Sequence, residues 1–175
     1  MKMTTKAWLV PVLAVAAVCL GTTLAAQDKE EEEGNPAAAA KVALSARVSL
    51  DRGLAASASH GRPISAKFET DEGKSQLSVY TMKGDKFFEV SIDPASGRVI
   101  KAEPIADGED YTAAQGQSSA MAKAKVSLRA AVATALRSNA GFRAVSVTPS
   151  LKDGRATADV TLAKGEELKT VSVPL

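Results

Sequence analysis

The sequence predicts an α+β protein built of two tandem repeats, each one helix packed on a three-stranded antiparallel meander. Three observations carry this. Short segments alternate apolar and polar residues with period two between Gly-bearing turns, the mark of strands with one buried face. An Ala-rich segment with apolar residues every four positions precedes each set of strands, the mark of an amphipathic helix. The whole pattern then occurs twice, over residues 48–104 and again over residues 126–175.

Residues 1–26 have the layout of a secretory signal. Lys2 and Lys6 form a positive start, residues 7–20 are apolar apart from Pro11, and residues 22–26 are small enough for cleavage after Ala25 or Ala26. The apolar stretch is shorter than a membrane span requires. The chain is therefore expected to be secreted or periplasmic, with no stable span after cleavage. Cys19 follows Val18, a poor match to the small residue that precedes a lipid-modified cysteine, so a lipid anchor is disfavoured. Losing Lys2 and Lys6 from 22 basic residues leaves 20 against 20 acidic ones. A nearly neutral chain argues against nucleic acid, which is held by a clustered basic face. The exported part has no cysteine, and hence no disulfide or thiol chemistry.

Residues 27–47 read as an acidic and Ala-rich linker. The run Glu30 to Glu33 repels itself and carries no apolar stripe, so it is a solvated spacer. Calcium needs spaced oxygen ligands around a Gly-assisted turn, which contiguous glutamates do not supply. Ala37 to Arg47 has the composition to extend as a helix.

In the first repeat Ser49 is the expected N-cap of a helix carrying Leu50, Leu54 and Ala58. Gly53 costs that helix about 1 kcal/mol relative to Ala. The helix ends near Ser59, before Gly61. Ile64, Ala66 and Phe68 then mark the first strand, Leu77, Val79 and Thr81 the second, and Phe88, Val90 and Ile92 the third. The turns between them fall at Asp71-Glu72-Gly73 and Lys83-Gly84-Asp85. Residues 105–125 read as a second linker, rich in Ala, Gln, Ser and Gly, with Asp107, Glu109 and Asp110 in a solvated turn around Gly108.

The second repeat opens with Ser127 as N-cap and the stripe Leu128, Val132 and Leu136, and its helix ends near Asn139. From the first strand onward the copies match without a gap, at one constant offset: Val145-Ser146-Val147 on Ile64-Ser65-Ala66, Asp153-Gly154 on Glu72-Gly73, and Val171-Ser172-Val173 on Val90-Ser91-Ile92. The helix starts, Val126-Ser127-Leu128 on Val48-Ser49-Leu50, match at an offset smaller by three, so the helix-to-strand loop is that much longer in the second copy. Loops absorb such insertions and strands do not, which supports a duplication.

On these residues the first copy resembles the PepSY domain. The resemblance covers residues 48–104 and rests on the Ser-Leu helix start, the Ala-rich helix, the meander with its Glu72-Gly73 turn, and the closing motif Asp93-Pro94-Ala95-Ser96-Gly97-Arg98-Val99, where Ser96 stands for the usual Thr. The second copy is similar but degenerate, because it has no closing Asp-x-x-Thr-Gly motif. The resemblance implies an exported module found in cell-envelope proteins and in metallopeptidase propeptides, for which restraint of a peptidase has been proposed. It carries no catalytic residues.

The residues themselves point the same way. His60 is alone and stands before Gly61, so it reads as a turn residue; metal sites and nucleophile–base arrangements need several partners. No phosphate loop or paired strand-end carboxylates stand out. Asp93 reads as a turn former, its carboxylate capping backbone N–H groups while Gly97 takes a positive φ. No catalytic, cofactor-binding or metal-binding residue is assigned. Tyr80, Met82 and Phe87 point away from the helix-facing residues and are the candidate partner-binding residues. The competing reading packs them against the second repeat, and the need of thin modules for more burial favours it. A free sheet edge is a second route to a partner. The expected function is a non-enzymatic protein-binding module of the envelope or medium, with a peptidase among its candidate partners. A structural envelope protein and a cation or small-ligand sensor acting through Asp107 to Asp110 are the alternatives.

Overall fold

The structure, a computed structural model, describes residues 35–175. The signal segment, Cys19 and the acidic run fall outside the described residues. The elements are α1 (Pro36–Ser45), α2 (Leu50–Ala56) running into a 3₁₀ turn (Ser57–His60), β1 (Arg62–Asp71), β2 (Lys74–Lys83), β3 (Lys86–Ile92), β4 (Val99–Ile105), α3 (Gly108–Lys123), α4 (Leu128–Arg137), β5 (Arg143–Lys152), β6 (Arg155–Lys164) and β7 (Glu167–Pro174).

All seven strands form one antiparallel sheet in the order β4-β3-β2-β1-β5-β6-β7. Within it β1-β2-β3 and β5-β6-β7 each run as consecutive antiparallel hairpins, and the two runs meet edge to edge through β1 and β5, in place of two separate units. The first has a fourth strand, β4, that a three-stranded unit did not anticipate. β4 lies at the sheet edge with most of its residues exposed or half-buried, so it lacks the contrast between faces that reveals an inner strand.

Local chemistry sets the element ends. The Ser49 and Ser127 side chains accept from the N–H groups of Arg52 and Ala130, each at 3.2 Å. The hairpin turns put Glu72 at φ 48° and Gly73 at φ 75°, and Asp153 at φ 51° and Gly154 at φ 75°. Two successive positive φ values define the type I′ turn, whose twist suits two-residue hairpins. Asp93 Oδ1 accepts from the N–H groups of Ala95 (3.0 Å) and Ser96 (2.6 Å), and Gly97 sits at φ 75°. Bulges interrupt β1 between Pro63 and Ser65, and β5 between Ala144 and Ser146.

α2 and α4 meet on one face, over Leu77, Val79, Val90 and Ile92 in the first half and Ala158, Val160 and Leu162 in the second; all seven are fully buried. Each such Leu, Ile or Val contributes about 1.5–3 kcal/mol by leaving water. Arg129 clamps Asp51 across this helix pair, with Nε on Oδ1 at 2.7 Å and Nη2 on Oδ2 at 2.9 Å. The β1–β5 seam pairs Ala66 with Val147 and Lys67 with Ser146.

Both segments expected as linkers contain helices. α1 packs against β1, β5 and β6 and buries Ala40, Val42 and Ala43; Asn35 caps it, accepting from Ala37 N–H at 2.9 Å. α3 fills most of the span 105–125, with Glu109 and Asp110 in its first turn and Lys123 in its last, as the helix dipole favours. It buries only Ala114, Ala120 and Met121, so no apolar stripe announced it. Small residues allow close approach to the sheet at little apolar surface.

Candidate functional site

Strand alternation puts Lys67 and Glu69 of β1, Gln76, Ser78, Tyr80 and Met82 of β2, and Phe87, Glu89 and Ser91 of β3 on the face opposite α2. α3 crosses this face. Gln117 accepts from the Ser65 hydroxyl at 2.7 Å, the Ser118 hydroxyl lies 2.9 Å from the Met82 sulfur, and Tyr111 meets Phe87 edge to face at 5.5 Å between ring centres. Tyr80 and Phe87 are each only 7% exposed and Met82 is half-buried. The structure thus brings the three candidate partner-binding residues together beneath a helix of the same chain. Their covering element is α3, where the competing reading had expected the second repeat.

Beside them the same face carries a polar cavity of about 130 Å³ lined by Lys67, Glu69, Asp71, Gln76, Tyr80, Glu89 and Asp110. Glu69 and Gln76 are buried at 6% and 7% exposure, and Ser78 is fully enclosed. The Ser78 hydroxyl donates to Glu89 Oε1 at 2.7 Å, and the Gln76 amide reaches the Ser78 oxygen at 2.9 Å and both Glu69 and Glu89 at 3.4 Å. Lys67 Nζ sits 2.5 Å from Glu69 Oε2 and 5.7 Å from the centre of the Tyr80 ring. Burial pushes the Glu89 carboxyl above its ordinary range, opposed by the Ser78 hydrogen bond and assisted by the charges of Glu69 and Asp110. Burial likewise holds the Tyr80 phenol far above its ordinary value, with Glu89 and Glu69 adding to the effect, so it stays protonated.

A second cleft of about 400 Å³ shares Glu89 and Asp110 with this cavity and adds Glu103, Asp107 and Glu109. Asp107 to Asp110, expected as a solvated turn, form the N-terminal end of α3 and one wall of the cleft. Among the described residues, no group of three or more His, Cys, Asp or Glu is placed to hold a metal ion. His60 ends the 3₁₀ turn, and its carbonyl accepts from the Thr81 hydroxyl at 3.4 Å. Sequence reading missed Glu69, Gln76, Ser78, Glu89 and Ser91, because a charged or polar residue at alternate strand positions looks like ordinary solvent face.

Fold and site together define a mixed helix–sheet protein, with helices against a seven-stranded antiparallel sheet and a carboxylate-rich cavity on one face. No protein-family model matches the chain, and no curated protein matches its sequence. Among solved structures it is similar to a putative lipoprotein from Clostridium difficile 630, at 12% identity and a TM-score of 0.39, over 64% of this chain and 74% of that one. Among the described residues, no helix is long and apolar enough to cross a membrane.

Proposed function

We propose that the chain is an exported, non-enzymatic protein-binding module made of two PepSY-like copies, and that it engages its partner by strand addition. Support for two copies comes from paired positions. The turn residues Glu72 and Asp153, the bulges at Ile64 and Val145, and the seam partners Ala66 and Val147 all stand at the single offset that relates the strands of the two copies. Because Ala66 pairs with its own counterpart, a local two-fold axis relates the halves at the seam, as in an isologous dimer. Asp51 and Arg129 are counterparts too, each standing second after the serine that caps its helix.

One observation carries the binding mode. In the first half the outer edge of β3 is paired by β4, whereas among the described residues no strand pairs with the outer edge of its counterpart β7. An unpaired edge offers a row of backbone donors and acceptors to an extended segment of another protein. A peptidase of the envelope or medium is the partner class that the PepSY resemblance favours.

The test is a crosslinked pull-down from envelope and medium with residues 27–175 as bait, followed by hydrogen exchange on the recovered complex. A peptidase whose activity falls on adding the protein, with β7 amides newly protected, supports the reading. A complex that leaves β7 exchange unchanged overturns strand addition. Recovery of envelope components without any peptidase overturns peptidase restraint.

A further inference from the structure

The two halves provide an internal comparison for an apolar groove. Between α2 and the start of α4 lies a cavity of about 440 Å³, walled in part by the buried Leu54, Met121 and Leu128. The second copy has the equivalent groove, of about 240 Å³, where Val132, Leu136, Arg143 and Leu50 stand for Leu54, Ala58, Arg62 and Leu128. Two positions separate the grooves. Leu136 and Phe142 partly fill the second and pack against the core. Their counterparts in the first are Ala58 and Gly61. Gly61 is kept small by the backbone, since at φ 145° a Cβ would stand 2.7 Å from the Met82 carbonyl oxygen. Ala58 sits in the 3₁₀ turn and is exposed, so a leucine can stand there as it does in the second copy.

The mouth of the open groove is apolar as well. Val126 lines it at 38% exposure, whereas its counterpart Val48 is 4% exposed. Val48 lies under the Asp93–Gly97 turn, whose Pro94 carbonyl accepts from the N–H groups of Arg47 and Val48 at 3.0 and 3.1 Å. The charges have one sign. Arg62, Lys125 and Arg129 line the cavity, and among the described residues no acid does; the equivalent groove carries Asp51 in the place of Arg129. Arg129 is held by Asp51, but Arg62 and Lys125 are in no ion pair among the described residues. Ser127 and Leu128, at the start of α4, also line the cavity, so the positive end of that helix dipole adds to the field.

An apolar cavity of this volume with a few polar groups at its rim is the ordinary form of a small-molecule site. At about 30 Å³ for a group the size of water or a methylene, it holds roughly 15 such groups, one long acyl chain and not the two of a phospholipid. A peptide would bring backbone N–H and C=O groups that need partners, and side chains such as Leu54, Met121, Val126 and Leu128 supply none. We propose that the groove binds a long-chain fatty acid, its hydrocarbon chain lying along these four residues and its carboxylate met by Arg62 and Lys125. Among the described residues none of β7 lines the groove, so the site stands independently of strand addition.

The test titrates residues 27–175 with dodecanoate and with dodecan-1-ol, below the concentrations at which they aggregate, by calorimetry and by the methyl chemical shifts of Met121 and Val126. Saturable dodecanoate binding that moves both methyl signals is expected. Ala58→Leu, which restores the second copy's residue, should weaken it about tenfold or more, the equivalent of about two methylenes kept from burial. Arg62→Gln combined with Lys125→Gln should weaken dodecanoate about fivefold, the scale of an exposed ion pair, and leave dodecanol unchanged. Melting curves check that both variants fold, and if Ala58→Leu does not, the charge variant decides. Absence of saturable dodecanoate binding overturns the proposal. So does a folded Ala58→Leu variant that binds as the parent does, and so does dodecanol binding as tightly as dodecanoate. Tighter binding of a peptide of residues 27–34 than of dodecanoate gives the groove to the chain's own acidic segment and likewise overturns it.

Discussion

Gly53 separates helix propensity from packing. Considered alone, Gly53→Ala should stabilise α2 by about 1 kcal/mol. The structure reverses that expectation. A Cβ at residue 53 would overlap Leu77 Cδ2, stand 3.0 Å from Leu77 Cγ and reach Ile92 Cδ1 at 3.7 Å. Leu77 and Ile92 are fully buried, so neither side chain can swing into solvent. Overpacking of this kind costs about 1–3 kcal/mol, leaving a net loss of about 1 kcal/mol and a fall in Tm of about 2–4 °C. The counterpart positions carry the complementary solution: Ala131 and Ala158, both fully buried. Leu77→Ala alone should cost about 2–5 kcal/mol through its cavity. Adding Gly53→Ala to it should restore part of that loss, with a coupling of about 1 kcal/mol or more. Urea denaturation of the four proteins measures the cycle. A Gly53→Ala variant more stable than the parent, or changes that add to within about 0.5 kcal/mol, would refute the close approach of α2 to β2.

Three further outcomes are expected. Phe87→Ala should destabilise the fold by about 3 kcal/mol, because it removes a buried ring packed on Tyr111, and an unchanged melting temperature would return Phe87 to the surface. Asp51 is held below its ordinary range mainly by the Arg129 hydrogen bond, so it adds stability above about pH 4 that is lost as pH falls through and below that range. Both partners are largely exposed, so Asp51→Asn should cost no more than about 1 kcal/mol at pH 7, less in high salt and progressively less as pH falls below the ordinary carboxylate range; a loss that does not shrink in acid contradicts this. Glu89 shifts the other way: its raised value favours the fold below the ordinary glutamate range, and that contribution disappears as pH rises through the shifted value. Lys67, Glu69, Asp110 and the opposite Glu103 face it. Glu89→Gln should therefore melt above the parent at pH 7, with the gap closing toward pH 4, and a gap independent of pH would count against burial as the dominant cause.

The strands were legible because each inner one carries a marked contrast between faces and ends at a Gly-bearing turn. Glu72-Gly73 and Asp153-Gly154 could be placed to the residue, since a tight hairpin demands positive φ at both. β4 was not legible: Ile100, Lys101, Glu103 and Pro104 are all exposed, and Pro104 reads against a strand except at an edge. α3 escaped for a related reason. Ala114 and Ala120 bury completely while contributing almost no periodic hydrophobic signal. Missing α3 meant missing the site, since Asp110 belongs to that helix and completes the lining beside Glu69 and Glu89. Tyr80, Met82 and Phe87 were correctly assigned to a common face, but what covers them could not be read without that helix.

The clamp between Arg129 and Asp51 bears on how a chain with two look-alike halves avoids pairing with its neighbours. At high chain concentration, the β1 edge of one unfinished chain could meet the β1 edge of another. Such a pairing would set Asp51 against Asp51, and the matching encounter of β5 edges would set Arg129 against Arg129. Only the union of unlike halves brings acid to base, and within one molecule those halves are tethered at high effective concentration. A surface ion pair of small thermodynamic weight would then act on the choice of partner during assembly more than on the durability of the finished fold.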